Sequence, residues 1–387
     1  MQNNLIKSIK NSSSKSAYIH IPFCKKKCSY CAFTSFAALN LIDDYVKKLI
    51  TEIKHFYDGT PLETLYFGGG TPSLLNIKQV ESILKLFKFA PNPEITMEVN
   101  PDSVDLNYFA ALKNIGINRI SIGVQSFDDD VLRAIGRIHT SNSAKDAVCL
   151  AQDVGFKNVS IDLIYGLPMP DGPEYKGKNT KKYHLKLWEN TLENALVLDV
   201  EHISLYGLKI EPNTIFYKNP PKALPDDDMQ ADMYEFAIEY LSKKYELYEV
   251  SNFAKSKEFY SRHNLNYWNE GHYYGFGVSA SGFLNNIRYQ NTKNFKEYME
   301  NPDTTKNAEI LTPENMLEET IFLGFRKMEG INTAEINKKF SINFDEKYGE
   351  ILNKYIKTGH IKSTKNGYKL TTAGVLVSNV ILSEFLV

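Results

Sequence analysis

Short β-like runs alternate with longer helical stretches over most of the first 245 residues, and no other feature restricts the fold so tightly. The β-like runs begin at Ala17, Glu63, Glu94, Asn118, Asn158 and His202. Helices are predicted around 39–56, 77–89, 105–115, 143–154, 183–198 and 226–243. Strand-then-helix units in series imply a parallel sheet, because each crossover returns the chain to the same end of the sheet. The expected fold class is α/β, with the units closing into a partial TIM-like (β/α)6 barrel, since the chain offers six units and not eight.

Alternation within the strands says what that barrel holds. Ile120, Ile122 and Val124 share one face, and Ser121, Gly123 and Gln125 the other. The same split sets Thr96, Glu98 and Asn100 against Ile95, Met97 and Val99, and Ser160 and Asp162 against Val159, Ile161 and Leu163. Covering helices bury the aliphatic face, so the polar set faces the lumen. Ordinary barrels fill that space with branched aliphatics, so a polar lumen points to a bound ligand, the alternative being satisfied polar groups and ordered water.

Three regions are expected: the barrel over 1–245, an aromatic and glycine-rich extension over 246–300 completing its side, and a small C-terminal winged-helix-like α+β domain over 308–387. Residues 169–182 read as an exposed Gly/Pro/Lys loop, and 301–307 as a linker. A balance of 45 basic against 46 acidic residues, net −1, argues against a partner held by broad phosphate neutralisation, so no nucleic acid is expected. No apolar run reaches the roughly 18 to 20 residues that span a bilayer. Residues 1–16 are rich in Asn, Ser and Lys and lack the apolar stretch of a signal peptide. A cytoplasmic location without an integral membrane segment is the expectation.

Cys24, Cys28 and Cys31 are spaced C-x-x-x-C-x-x-C at a strand-to-loop transition, a pattern packing explains poorly. Lys25, Lys26 and Lys27 make the loop basic and should favour thiolates. Such thiolates could hold zinc with a fourth ligand, or three irons of a cubane cluster. Cys149, alone on a predicted helix, reads as structural. Further on, Gly68-Gly69-Gly70-Thr71-Pro72 ends the second strand, where such folds place ligands.

Cys24, Cys28, Tyr30 and Cys31 together resemble the signature of the radical S-adenosylmethionine (SAM) superfamily. With Gly68–Ser73, Glu98–Pro101, Ser121–Phe127, Asp162–Pro168 and Tyr248–Phe253, the chain is similar to the group of oxygen-independent coproporphyrinogen dehydrogenases and HemW-type heme chaperones. The resemblance implies a [4Fe-4S] cluster on Cys24, Cys28 and Cys31, with SAM chelated at its open iron. It implies SAM contacts from Tyr18, Tyr30, Gly69, Gly70, Thr71, Glu98, Gln125, Arg137 and Asp162. Carboxylates suit the ammonium and sulfonium, and Arg suits the methionine carboxylate.

Within that group, dehydrogenases carry a further Cys two positions after the third ligand and a longer segment ahead of the cluster loop. Here Ala32 and Phe33 follow Cys31, and the leading segment is short. His263-Asn264-Leu265-Asn266-Tyr267-Trp268 is similar to the H-N-x-x-Y-W motif associated with heme, which makes His263, Tyr267 and Trp268 the heme candidates. His20 is an alternative contact to porphyrin or SAM. The resemblance therefore implies a chaperone that carries heme to an unidentified acceptor protein, with a radical enzyme acting on a porphyrinogen as the second reading. Aromatic surface near Tyr267 and Trp268 could equally join two copies in a homodimer.

Overall fold

The computed structural model describes residues 13–170, 180–302 and 305–386, so most of the expected 169–182 loop lies outside the described residues. Its centre is six parallel strands lying side by side in chain order: β1 (Ser16–Ile21), β2 (Leu62–Gly69), β3 (Phe89–Val99), β4 (Arg119–Gln125), β5 (Val159–Tyr165) and β6 (His202–Gly207). The crossovers carry helices whose apolar stripes cover one face. Helix Ile42–Phe56, for instance, buries Tyr45, Val46, Leu49, Ile53 and Phe56 at helical spacing. Those side chains meet the aliphatic set of the strands, and Ile120, Ile122 and Val124 are fully buried in one continuous core.

One helix is shorter than predicted. The helix beginning at Ile77 ends at Leu84, and Phe89 already opens β3. Pro91 lies inside β3, where its missing amide and the extended backbone it favours at Ala90 oppose the continued helix.

The aromatic segment that resists pairing from sequence supplies both edges of the sheet. β7 (Glu246–Glu249) and β8 (Asn252–Ala254) add antiparallel strands beyond β6, while β9 (Tyr274–Phe276) pairs parallel with β1. Next to β9 lies a three-stranded antiparallel sheet of β10 (Ser281–Leu284), β11 (Ile287–Asn291) and β12 (Thr305–Ile310). The expected linker is therefore partly strand: Asn307 pairs with Gln290 and Ala308 with Tyr289, a ladder no local composition reveals.

The C-terminal region follows a winged-helix order. β13 (Ile331–Asn332), helices Thr333–Phe340 and Phe344–Lys357, then β14 (Ile361–Ser363) and β15 (Gly367–Leu370) form a unit with strand order β13-β15-β14. Phe325, Phe344, Leu352, Ile381 and Phe385 make its own core. Helix Pro313–Arg326 joins it to the barrel. The Val250 amide donates to Arg326 O at 2.9 Å, the Met328 amide to Tyr248 O at 3.0 Å, and the Arg326 guanidinium lies 4.4 Å from the Trp268 ring centre.

Candidate functional site

The strand ends carry the chemistry. β1 runs into Phe23 and Cys24, and the loop that follows is closed by amides of Cys24 and Phe36 donating to Phe36 O and Pro22 O, at 3.1 and 2.7 Å. Cys24, Cys28 and Cys31 are partly exposed on it. Thr71 Oγ1 donates to Cys24 Sγ and Arg137 to Cys28 Sγ, each at 3.7 Å. The lysine run does not act as composition suggests. Lys25 is tied to the Asp102 carbonyl and carboxylate and Lys27 to Phe33 O, while burial pushes the Cys24 and Cys31 thiols up. Ionisation of these thiols therefore comes with metal loading, which drives off the protons.

β2 ends in glycines because nothing larger fits. A Cβ on Gly70 would sit 2.6 Å from Phe23 O and 3.0 Å from Cys24 Sγ, and Gly69, at φ +118°, would place one 2.7 Å from the His20 ring. The Gly69 amide donates to Glu98 Oε2 at 3.1 Å and Tyr66 Oη to Glu98 Oε1 at 2.9 Å. Burial and then the neighbouring Asp162 carboxylate push Glu98 up to about 7. Asp162 accepts from Ser121 Oγ at 3.1 Å, and burial raises its pKa as well.

Gln125 reaches this group by a route that strict alternation does not anticipate. The β4–β5 register slips between Gly123 and Gln125, and Gln125 sits at φ +69°. Its Nε2 then lies 3.0 Å from where a Gly123 Cβ would be, beside Arg137 and Asn100. A bulge re-aims a side chain in this way. Arg137 donates to Asn100 Oδ1 at 3.1 Å and to the Gly123 carbonyl, leaving its Nε buried without a partner. Tyr30 packs against a buried apolar cluster that includes Val131, Ile135 and Phe216.

On the other side of Tyr18 a cavity of about 710 Å³ opens between the segment after Cys31, the β10–β11 hairpin and helix Pro313–Arg326. Tyr18, Phe33, Tyr267, Trp268, Tyr273, Phe283, Arg288 and Glu319 are among its lining residues. His20 also lines it, but both ring nitrogens are engaged: Nε2–H donates to Thr34 O at 2.8 Å, so Nδ1 accepts from Tyr18 Oη at 3.0 Å. Burial lowers the His20 pKa and keeps the ring neutral.

The three heme candidates separate in space. Tyr267 and Trp268 face the cavity, whereas His263 is 1% exposed and lies behind them. Thr64 Oγ1 meets His263 Nδ1 at 2.8 Å, and Tyr267 Oη meets Nε2 at 2.7 Å. Tyr66 stacks on the ring, and burial lowers its pKa to about 3.

Known proteins share both this sequence and this architecture. Residues 18–173 match the radical SAM superfamily and 311–377 the HemN C-terminal domain. The chain is 36% identical to the heme chaperone HemW of Lactococcus lactis over 382 residues, covering 96% of this chain and 97% of that one. For the HemW of Bacillus subtilis the identity is 35%, over 96% of this chain and 99% of the relative. The chain belongs to the HemW family. In fold it resembles coproporphyrinogen III oxidase (HemN) of Escherichia coli, a radical SAM enzyme, with a TM-score of 0.84 at 24% identity over 99% of this chain and 92% of the other.

A radical SAM protein of the HemW family uses a [4Fe-4S] cluster and SAM, and the residues present fit both. The three thiols lie within eight residues of one another on one partly exposed loop, two of their sulfurs accept hydrogen bonds, and the Gly70 cradle leaves backbone against Cys24. Buried carboxylates with raised pKa values suit a cationic ligand, because a positive charge brought among them restores their ionised forms. Asn100, placed on the lumen face by the alternation of β3, was given no role at the site from sequence. It joins Thr71, to which its Nδ2 donates at 2.9 Å, to Arg137. Tyr66 escaped the sequence reading, its partners Glu98 and His263 lying on elements far along the chain. Cys149 is exposed and fills no core, which corrects its reading as a structural residue.

Proposed function

We propose that this chain is a heme chaperone that binds heme and hands it to an acceptor protein. The observation that carries the reading is the cavity beside the cysteine loop, walled by Tyr267 and Trp268 of the His263–Trp268 motif. Two aromatic rings offer faces against which a flat macrocycle packs. Cys24, Cys28 and Cys31 are the proposed cluster ligands. Tyr18, Tyr30, Gly69, Gly70, Thr71, Glu98, Gln125, Arg137 and Asp162 are the proposed SAM contacts. When bound, cluster and SAM supply one-electron chemistry at the barrel mouth, next to the cargo.

In this reading His263 acts through Tyr267. Its ring nitrogens are taken by Thr64 and Tyr267, so bonding iron would require breaking one of those contacts and bringing a fully buried ring to the cavity. The acceptor is a heme-requiring protein in the cytoplasm. Phe33, 68% exposed at the cavity, gives that acceptor or a second copy of the chain an apolar contact. Among the described residues no helix is long and apolar enough to cross a membrane.

Hemin titrated into the anaerobically reconstituted protein, followed by the Soret band, tests the reading. Stoichiometric binding by the parent is expected, with at least about tenfold weaker binding for Trp268→Ala. His263→Ala should weaken binding without moving the Soret maximum. A moved maximum would make His263 an iron ligand instead. No specific binding by the parent would overturn the chaperone and leave a radical enzyme acting on another substrate.

A further inference from the structure

The cavity wall holds a side chain already configured to grip a carboxylate. Arg288, on β11, presents NH1 and NH2 to Glu319 Oε1 and Oε2 of helix Pro313–Arg326, both at 2.5 Å. This is the planar two-pronged geometry in which guanidinium recognises any carboxylate, including the propionate of a tetrapyrrole. Both side chains line the cavity, and neither is sealed off, with side chains 41% and 22% exposed. The Arg288 guanidinium also lies 6.0 Å from the Phe283 ring centre, at the edge of the aromatic wall. Lys293 lines the same cavity and has no ion-pair partner among the described residues.

Resting on the heme-chaperone reading above, we infer that Arg288 is the carboxylate anchor of the cargo, and that an incoming heme propionate displaces Glu319 from it. The chemistry is an exchange of one carboxylate for another on the same guanidinium, with no covalent step. Lys293 offers a single positive charge to the second propionate. The imidazole lining the cavity, His20, has both nitrogens engaged, so recognition falls on the carboxylates and the macrocycle face. The exchange has a structural consequence. The Arg288–Glu319 pair ties β11 to helix Pro313–Arg326, so loading removes one tie between the barrel side and the C-terminal unit. Glu270 keeps others, accepting from Thr320 Oγ1 at 2.6 Å and from Lys339 Nζ at 2.8 Å.

Hemin and hemin dimethyl ester, whose propionates are uncharged, would be titrated into the full-length reconstituted parent, Arg288→Gln and Glu319→Gln. For hemin, Arg288→Gln should bind about tenfold more weakly and Glu319→Gln several-fold more tightly, because the two-pronged native competitor is gone and Glu309 reaches Arg288 only at 4.0 Å. For the ester, all three proteins should agree within about twofold. Arg288→Lys, which keeps the charge without the fork, should fall between parent and Arg288→Gln, and equal thermal midpoints would show that the fold is intact. Unchanged hemin affinity in Arg288→Gln, or weakened affinity in Glu319→Gln, would overturn the anchor while leaving heme binding standing. A parent that binds neither compound would overturn the chaperone reading itself and the anchor with it.

Discussion

Glu98 shows how much one side chain takes from its surroundings. An ordinary Glu ionises near 4.5, but burial beside Asp162 moves it up to about 7. Its protonated form predominates below that value, and the carboxylate a sulfonium prefers predominates above it. SAM affinity is therefore expected to rise as pH climbs from about 6 to about 8, by at most roughly tenfold per unit. Glu98→Gln should bind more weakly and show a flatter profile, and calorimetry on both proteins isolates this group from SAM's own titrating amine. Cluster ligation gives a second prediction. Alanine at Cys24, Cys28 or Cys31 should each abolish iron retention after anaerobic reconstitution, whereas exposed Cys149→Ala should retain it fully. Retained iron in any of the first three would remove that residue from the ligand set.

Among the elements, β9 matters beyond its three residues. It brings the aromatic segment alongside β1 and buries Tyr274 and Phe276. It does so by passing β10 so closely that a Cβ on Gly275 would lie 1.9 Å from Ser281 O. The obstacle is backbone, which cannot swing aside. Gly275→Ala should therefore destabilise by about 3 kcal/mol and loosen the cavity wall. Gly349 is the opposite case, lying within helix Phe344–Lys357 with nothing within 4 Å of its would-be Cβ. Gly349→Ala should stabilise by about 0.5 to 1 kcal/mol, since alanine loses less backbone freedom on folding. Denaturant midpoints of the two variants check both signs.

At the scale of the whole molecule, Glu249 sits where barrel and C-terminal unit meet. It is fully buried on β7, accepts from Asn252 Nδ2, and pairs through its backbone with Lys327. Burial raises it to about 7, against the attraction of Arg326. For a carboxyl raised on folding, the sign is fixed. Below the unfolded value both states are protonated, and as pH rises towards 7 only the unfolded chain ionises, so stability falls across that window and then levels. The loss attributable to Glu249 is at most about 3 kcal/mol. Unfolding at about pH 5 and about pH 8 should show this difference in the parent and a reduced one in Glu249→Gln. An identical pH response in the two proteins would show that Glu249 does not carry it.

Local periodicity was enough to establish the six parallel strands, most of their helices and the polar lumen, because a strand's two faces and a helix's stripe are written in residues two, three and four apart, while the cysteine loop was legible from the spacing of its thiols. It also led to Glu98 and Asp162, which alternate cleanly on β3 and β5. Contacts between residues distant in sequence were decided only in the tertiary structure. Thr64 meets His263 across 199 positions, and Arg288 meets Glu319 across 31. Gln125 lies between the two cases: its strand was legible, while the bulge that aims it comes from the register of β4 against β5. The lysine run shows the same limit, since its charge was legible but its partners, Asp102 and Phe33 O, were not. A hydrogen bond or ion pair leaves no period in the chain. It depends on where two separate elements come to rest, and that is set by the packing of the whole core.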